Sequence, residues 1–202
     1  MTGPAPALDS QPKAVGLKRW LLFWSIALGG MAFDLSTKSL IFAWIGPPPS
    51  SPVSLIDNVL ELRTSYNPGA LWGFGRTIPH SSKVFAGLSI FASVAIVWYL
   101  FVHGAAVDGR LTAALALIMA GALGNCFDRL MLDQVRDFVH FHVDPINFDC
   151  AIFNFADNML VVGAVALMLL ALRPEAAPKI LPVPEHRGEP TAPTHESVRI
   201  PS

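Results

Sequence analysis

The chain contains four long apolar runs separated by polar stretches, and this pattern predicts four membrane-spanning helices. The runs cover roughly Trp20–Ile45, Val84–His103, Leu111–Leu132 and Phe153–Leu172. Each has the ~20 mostly apolar residues that a helix needs to cross the hydrocarbon core of a bilayer. The first run is too long for the apolar core of a cleaved signal peptide, and charged residues interrupt it. We therefore expect an all-α membrane protein built as a bundle of four transmembrane helices.

The stretch between the first two runs, residues 46–82, has a different pattern. Three consecutive prolines from Pro47 end the first helix, because proline cannot continue the helical hydrogen-bond ladder. Leu60–Arg63 alternates apolar and polar residues, as a half-exposed strand does. The glycine-rich, aromatic stretch Tyr66–Gly75 is typical of a loop that approaches a ligand closely, although a hairpin resting on the membrane surface would look the same. We expect a small extracytoplasmic β-rich region between helices 1 and 2.

Both ends of the chain lack apolar periodicity. Residues 1–16 contain three prolines, and residues 174–202 are rich in proline and charge. We predict a disordered tail at each end, which leaves residues 17–173 as one membrane domain. Lys18 and Arg19 precede the first run, and basic residues favour the cytoplasmic side, so the N-terminus is expected in the cytoplasm. An even number of spans returns the C-terminus to the same side.

Composition agrees with a membrane protein and excludes several other classes. The chain is 52% hydrophobic and 14% charged, against about 25% charged residues in an average soluble domain. Its net charge of −1 lacks the basic footprint of a nucleic-acid-binding protein. Two cysteines, Cys126 and Cys150, are too few for a disulfide framework or a cysteine-only zinc site.

Ionisable residues inside the apolar runs are costly to bury and are therefore candidates for function. Asp34 and Lys38 are four residues apart on the first helix, and we interpret them as a structural ion pair. On the third helix, Asn125, Asp128 and Arg129 share one face. We interpret Asp128 as a structural support paired with Arg129, because a carboxylate beside a permanent cation stays charged and transfers protons poorly. Arg129 can present its planar donor fork to a substrate carbonyl or phosphate.

Two further aspartates lie at the seam between the third and fourth runs. Asp137 follows the third helix in a stretch that we expect to be extended, where Arg136 points to the opposite face. Asp157 lies in the first turn of the fourth helix, with Asn154 one turn before it. If the two carboxyls converge, one of them keeps a proton, and the pair can supply a general base and a general acid together. The alternative is that both are helix caps.

A metal site is the competing interpretation of the same region. Asp137, His140 and His142 combine a carboxylate with two histidines, which are common zinc ligands. No HExxH-type pair is present, however, and the flanking aromatic residues suggest contact with the membrane surface. We therefore predict no metal and no cofactor.

Two other functions fit a small polytopic protein. In a proton-coupled transporter, Asp34, Asp128 and Asp157 would form a relay, but the acids cluster at one end of the helices instead of spreading through the membrane. In a membrane chaperone, the polar residues at this seam would bind a membrane-bound chain without cutting it. A cleavage assay separates a hydrolase that uses the aspartates from both alternatives.

Taken in order, the polar motifs resemble one family. The motifs are Asn67-x-Gly69-Ala70, Gly124-Asn125-x-x-Asp128-Arg129, Val135-x-Asp137-Phe138 and Phe153-Asn154-x-Ala156-Asp157, with Asp34 and Lys38 upstream. They resemble those of lipoprotein signal peptidase, also called signal peptidase II, over roughly residues 18–172. Each motif is short, but their order along four spans makes the resemblance specific.

The resemblance implies an aspartyl protease of the bacterial inner membrane, with its active site near the extracytoplasmic face. Such enzymes remove signal peptides from prolipoproteins by cleaving before the diacylglyceryl-modified cysteine. The family's catalytic pair falls on Asp137 and Asp157. Its substrate-binding residues fall on Asn67, Asn125, Arg129 and Asn154, with Asp34, Lys38 and Asp128 as support. The resemblance also implies inhibition by globomycin-type peptides. We further expect contact with membrane lipid and a monomeric protein.

Overall fold

A computed structural model describes residues 15–69 and 80–173, which form four helices and a small sheet. The helices are α1 (Leu17–Ile45), α2 (Ser81–Val97), α3 (Gly109–Leu132) and α4 (Phe155–Ala171). A π-helical turn, Trp98–Val102, continues α2. These helices coincide with the four predicted apolar runs to within a few residues at each end.

Three of these helices are long and apolar enough to cross a membrane: α1, α3, and α2 together with its continuation. Helix α4 is equally apolar but has 17 residues, which is shorter than that length. The described residues therefore confirm a mostly helical membrane protein with three helices that are long and apolar enough to span.

Helix α3 is the centre of the bundle and packs against α1, α2 and α4. In its most apolar stretch 67% of the residues are buried, compared with 17% in α1 and 22% in α2. The outer faces of the other helices instead expose large apolar side chains, including Leu21, Leu28, Phe33, Phe91 and Leu169. Apolar residues on both the inner and the outer faces are what a bundle surrounded by lipid requires.

Small residues allow α1, α3 and α4 to approach closely at the end of the bundle that carries the polar residues. A side chain on Gly121 would overlap the backbone carbonyl of Ala156, and one on Gly124 would lie 2.5 Å from Oδ2 of Asp34. Glycine and alanine are common where membrane helices are in contact for this reason. The close approach brings the start of α4 against Asp34, whose Oδ1 accepts a hydrogen bond from the Ala156 amide at 2.8 Å.

The sheet has four antiparallel strands in the order β1-β2-β3-β4. They are β1 (Val53–Ile56), β2 (Leu60–Asn67), β3 (Val135–Val143) and β4 (Phe148–Asp149). The sequence prediction of a β-rich region between helices 1 and 2 accounts for only half of it, because β3 and β4 lie between α3 and α4. The strand predicted at Leu60–Arg63 is confirmed as the first half of β2.

The predicted tails, residues 1–16 and 174–202, and the predicted loop at Tyr66–Gly75 fall largely outside the described residues. Of that loop, the structure describes only residues 66–69. These residues place Asn67 at the end of β2, next to β3.

Candidate active site

Asp137 and Asp157 come from different elements and meet at the polar end of the bundle. Asp137 lies within β3 and is 2% exposed. Asp157 is the third residue of α4. The cap interpretation is therefore wrong for Asp137, which is in the middle of a strand. It holds in part for Asp157, because Asn154 is the N-cap of α4 and Asp157 completes a capping box with it.

Asn154 connects the two aspartates. Its side-chain amide donates to Oδ1 of Asp137 at 2.6 Å, while its backbone N–H donates to Oδ2 of Asp157 at 3.1 Å. Its side-chain oxygen accepts from the Asp157 backbone N–H at 3.0 Å. Because Asn154 is fully buried, these bonds fix the positions of both carboxyls relative to the helix end. We call Asp137 and Asp157 the aspartate pair.

Two other amides contact the aspartate pair. Asn67 donates to Oδ2 of Asp137 at 3.1 Å, and Asn125 donates to Oδ1 of Asp157 at 2.8 Å. The register of β2 against β3 explains the first contact, since Ser65 pairs with Asp137 and Asn67 with Val135. All three asparagines predicted to bind substrate thus lie around the two aspartates.

The environment of Asp137 favours its protonated form. Burial, followed by the neighbouring Asp157 carboxyl, raises the pKa of Asp137 to about 7, against the opposing effect of the amide donors of Asn154 and Asn67. At neutral pH the group can therefore either hold or release a proton, which is the property that a general acid or base needs.

A second set of buried charges lies next to the pair. Lys38 contacts Asp34 at 2.7 Å and Asp128 at 3.4 Å, and all three side chains are completely buried. Arg136 contacts the other side of Asp128, with Nη2 at 2.7 Å from Oδ1. We call Asp34, Lys38, Asp128 and Arg136 the ionic cluster. The predicted Asp34–Lys38 pair is confirmed.

The predicted pairing of Asp128 with Arg129 is wrong. Adjacent helical residues point in directions about 100° apart, so the two side chains diverge. Asp128 instead accepts from the backbone and the guanidinium of Arg136, as well as facing Lys38. The role of Arg136 was missed, although its predicted direction away from Asp137 is confirmed. The alternation of side chains along β3 was the available signal.

Arg129 faces the opposite way, towards the groove described below. Its Nη2 donates to the carbonyl of Gly69 at 3.1 Å, and its guanidinium lies 5.5 Å from the centre of the Phe85 ring. Its Nε is buried and has no hydrogen-bond acceptor among the described residues. The group therefore retains a donor for a carbonyl or phosphate oxygen.

The ionic cluster and the aspartate pair are joined by one amide. Lys38 donates to the side-chain oxygen of Asn125 at 2.9 Å. That bond leaves the amide nitrogen of Asn125 to donate to Asp157. A lysine on α1 thus sets the orientation of an amide that contacts the pair.

A groove of about 360 Å³ opens onto Asp157 of the aspartate pair. Its walls come from α2, α3 and α4, and its polar residues are Ser89, Asn125, Arg129 and Asp157. The other lining side chains are mainly apolar: Phe85, Leu88, Ala92, Ile118, Ala122, Leu160 and Val161. An apolar peptide can lie along these walls with a backbone carbonyl near Asp157.

The two histidines predicted as metal candidates do not join Asp137. Together with Glu61 of β2, His140 and His142 form a group whose possible ligand atoms lie within 4.8 Å of one another. Asp137 instead bonds the amides of Asn67 and Asn154. The predicted grouping of Asp137 with His140 and His142 is therefore wrong. The carboxylate beside the two histidines belongs to Glu61 of the neighbouring strand.

Comparison with known proteins places the chain in one group. The family model described as "Signal peptidase (SPase) II" matches residues 26–173. A lipoprotein signal peptidase of Rhodopirellula baltica is 36% identical over 178 residues, covering 82% of this chain and 78% of the relative. A lipoprotein signal peptidase of Sulfurihydrogenibium sp. is 32% identical over 154 residues, covering 75% of this chain and 91% of the relative.

Solved structures of bacterial membrane enzymes have the same fold. One superposes with a TM-score of 0.66 at 28% identity, covering 80% of this chain and 92% of the other. A second superposes with a TM-score of 0.66 at 27% identity, covering 82% of this chain and 99% of the other.

Proposed function

The chain belongs to the signal peptidase II family, and we propose that it removes signal peptides from prolipoproteins with Asp137 and Asp157 as its catalytic residues. The family model and both curated relatives support prolipoprotein cleavage by a membrane-embedded protease. The observation that carries the residue assignment is the capping residue Asn154, which contacts both carboxyls at the end of an apolar groove.

The proposed reaction is hydrolysis of a peptide bond by two carboxyl groups that share one proton. The ionised carboxylate takes a proton from a water, whose oxygen forms a bond to the scissile carbonyl carbon. The protonated carboxyl donates its proton to the carbonyl oxygen, giving a tetrahedral diol. Collapse of the diol breaks the C–N bond. One diol hydroxyl returns its proton to the carboxylate that had protonated the carbonyl oxygen, and the proton taken from water passes to the leaving amine. The raised pKa of Asp137 supports its participation at neutral pH.

We propose that the groove between α2 and α4 holds the end of the signal peptide, just before its diacylglyceryl-modified cysteine. Apolar walls suit the side chains of a signal peptide, while Arg129 and Asn125 offer donors to its backbone. We assign substrate contact to Asn67 and Asn154 as well, since both donate to Asp137, one of the two proposed catalytic residues. Globomycin-type peptides are expected to occupy the same groove.

We propose that α4 is a fourth span and that both termini are cytoplasmic. Lys18 and Arg19 of α1, Arg110 of α3 and Arg173 after α4 lie at the end of the bundle away from the sheet. A cluster of basic residues favours the cytoplasmic side. The sheet and the aspartate pair then lie near the extracytoplasmic face of the inner membrane, in a protein that works as a monomer.

The experiment is cleavage of a diacylglyceryl-modified precursor by purified variants in detergent. We expect Asp137→Asn and Asp157→Asn each to lower the cleavage rate by about 10²- to 10⁴-fold, the usual contribution of general acid–base catalysis. Asp133→Asn is the matched control. Asp133 is exposed and has a left-handed backbone conformation that asparagine also tolerates.

Near-normal cleavage by either variant of the aspartate pair would refute the assignment of that residue. A wild-type protein that binds the precursor without shortening it would favour the chaperone alternative. The transporter alternative has no support in the family match.

A further inference from the structure

We propose that Glu61, His140 and His142 form a binding site for a divalent transition metal such as Zn²⁺, on the sheet and apart from the aspartate pair. With Asp149 these residues make up what we call the histidine cluster. It lies at a cleft of about 450 Å³, which is also lined by Arg63, Asn147 and Phe148. The proposal concerns a second site and does not depend on the cleavage chemistry.

The pairing of the strands brings the three ligands together. Glu61 of β2 is directly opposite His140 of β3, and His142 is two residues further along β3, on the same face. The rings of His140 and His142 stack with centroids 5.1 Å apart. The possible ligand atoms of the three residues lie within 4.8 Å of one another. Small side-chain rotations would bring each of these atoms within ~2.0–2.2 Å of a shared zinc ion, the usual length of zinc–nitrogen and zinc–oxygen bonds.

Asp149 supplies the outer partner that a metal-binding histidine usually has. Nε2 of His140 lies 2.7 Å from Oδ1 of Asp149, while Nδ1 lies 2.8 Å from Oε1 of Glu61. A carboxylate on one ring nitrogen fixes the ring and leaves the other nitrogen to bind metal. A metal ion held by His140 would bind Nδ1, the ring nitrogen that faces Glu61.

The charges around the cluster are compatible with a cation. Glu61 and Asp149 are acidic, and the one nearby cation among the described residues is Arg63, whose Nε contacts Oε1 of Glu61 at 3.2 Å. Arg63 is 47% exposed and can turn towards solvent. Two imidazoles and a carboxylate are a ligand set that suits Zn²⁺ and leaves a fourth position for water.

A metal here would link the strands that carry part of the active site. Glu61 belongs to β2, the histidines to β3, and Asp149 to β4. His140 lies three residues after Asp137 on the same strand. Metal binding is therefore expected to stabilise the sheet. We expect the metal to take no part in the cleavage reaction itself.

The test uses full-length protein without a polyhistidine tag, stripped with EDTA and titrated with Zn²⁺ or Co²⁺ in detergent. We expect one equivalent of metal to bind, with a rise in the melting temperature and visible absorption bands from Co²⁺. Asp149→Asn should weaken affinity by about 10- to 100-fold, as loss of an outer partner does. Glu61→Gln and His142→Asn should weaken it further.

His103→Asn and Asp137→Asn are the controls and should bind metal as the wild type does. His103 is exposed and follows α2 at the other end of the bundle. Equal affinity in His142→Asn and the wild type would overturn the proposal, as would the lack of saturable uptake by the wild type. As a check that needs no variant, X-ray absorption of the zinc-loaded wild type should show two imidazole ligands, and their absence would also overturn it.

Discussion

The ionic cluster and the aspartate pair are neighbouring sets of buried carboxyls with opposite kinds of partner. Asp128 faces two cations, Lys38 and Arg136, and accepts several hydrogen bonds from the latter. Asp137 has no cation in direct contact among the described residues and bonds the neutral amides of Asn67 and Asn154.

The difference shows how one side-chain type serves two purposes. The two cations in contact with Asp128 compensate its charge, so this residue acts as a support. A neutral amide orients a carboxyl without fixing its charge to the same degree. Burial then controls the protonation of Asp137, and its pKa rises to about 7. Orientation by amides is therefore compatible with proton transfer, whereas compensation by cations opposes it.

Removing the charge of Asp128 should have the largest effect on stability. Asp128→Asn leaves Lys38 and Arg136 without their shared buried carboxylate, and breaking a buried pair costs on the order of 3–5 kcal/mol. Asp137→Asn replaces a carboxyl held by neutral partners with another neutral group and should change stability much less. Thermal melts in detergent, with Asp133→Asn as the control, measure both.

One outcome would reverse this comparison. If Asp128→Asn melts like the wild type but does not cleave, then Asp128 belongs to the catalytic residues and Asp137 is the support.

The pH dependence of cleavage should reflect the amide-bound carboxyl. As pH rises through about 7, Asp137 loses its proton. The acid required for the reaction disappears, so kcat/KM should fall about tenfold for each pH unit above that point. Cleavage rates at low precursor concentration between pH 5 and 9 provide the measurement.

Asn67→Ala sharpens that prediction, because Asn67 donates to Oδ2 of Asp137. A donor lost from a carboxylate disfavours its charged form and raises its pKa further. One hydrogen bond to a charged group is worth about 1.5–3 kcal/mol. The pH above which kcat/KM falls, the alkaline limb of the profile, should therefore move up by roughly 1 pH unit or more. An unchanged limb would show that another group controls it.

EDTA should have the smallest effect, with cleavage unchanged. Two carboxyls perform the proposed reaction without a metal, and the histidine cluster does not include Asp137. A loss of cleavage in EDTA that zinc restores would mean that the two sites are coupled.

The helices and the local ion pair could be predicted from the sequence because both depend on neighbours along the chain. Apolar runs of membrane length mark the helices, and the four-residue spacing of Asp34 and Lys38 places them on one face. The aspartate pair was identified partly from motifs that resemble a family, since nothing local brings Asp137 to Asp157.

The partners of Asp128 and of the histidines depend on contacts between distant residues and were predicted wrongly. Arg136 reaches back to Asp128 because β3 runs beside the end of α3, and a helical pattern contains no sign of that turn. Glu61 meets His140 through the register of β2 against β3, which lie 79 positions apart in the chain at that point. Register is set by the assembled sheet, so the sequence alone did not place Glu61 with the histidines.

The groove between α2 and α4 has a consequence for the kinetics of this protease. Leu88 and Val161, which line the groove, are each more than half exposed, so we expect the groove to open sideways to the surrounding lipid. A precursor confined to the bilayer therefore reaches the site by diffusion in two dimensions. Its encounter rate depends on molecules per unit area of membrane, so adding empty lipid to a reconstituted assay should slow cleavage even when the molar concentrations stay the same.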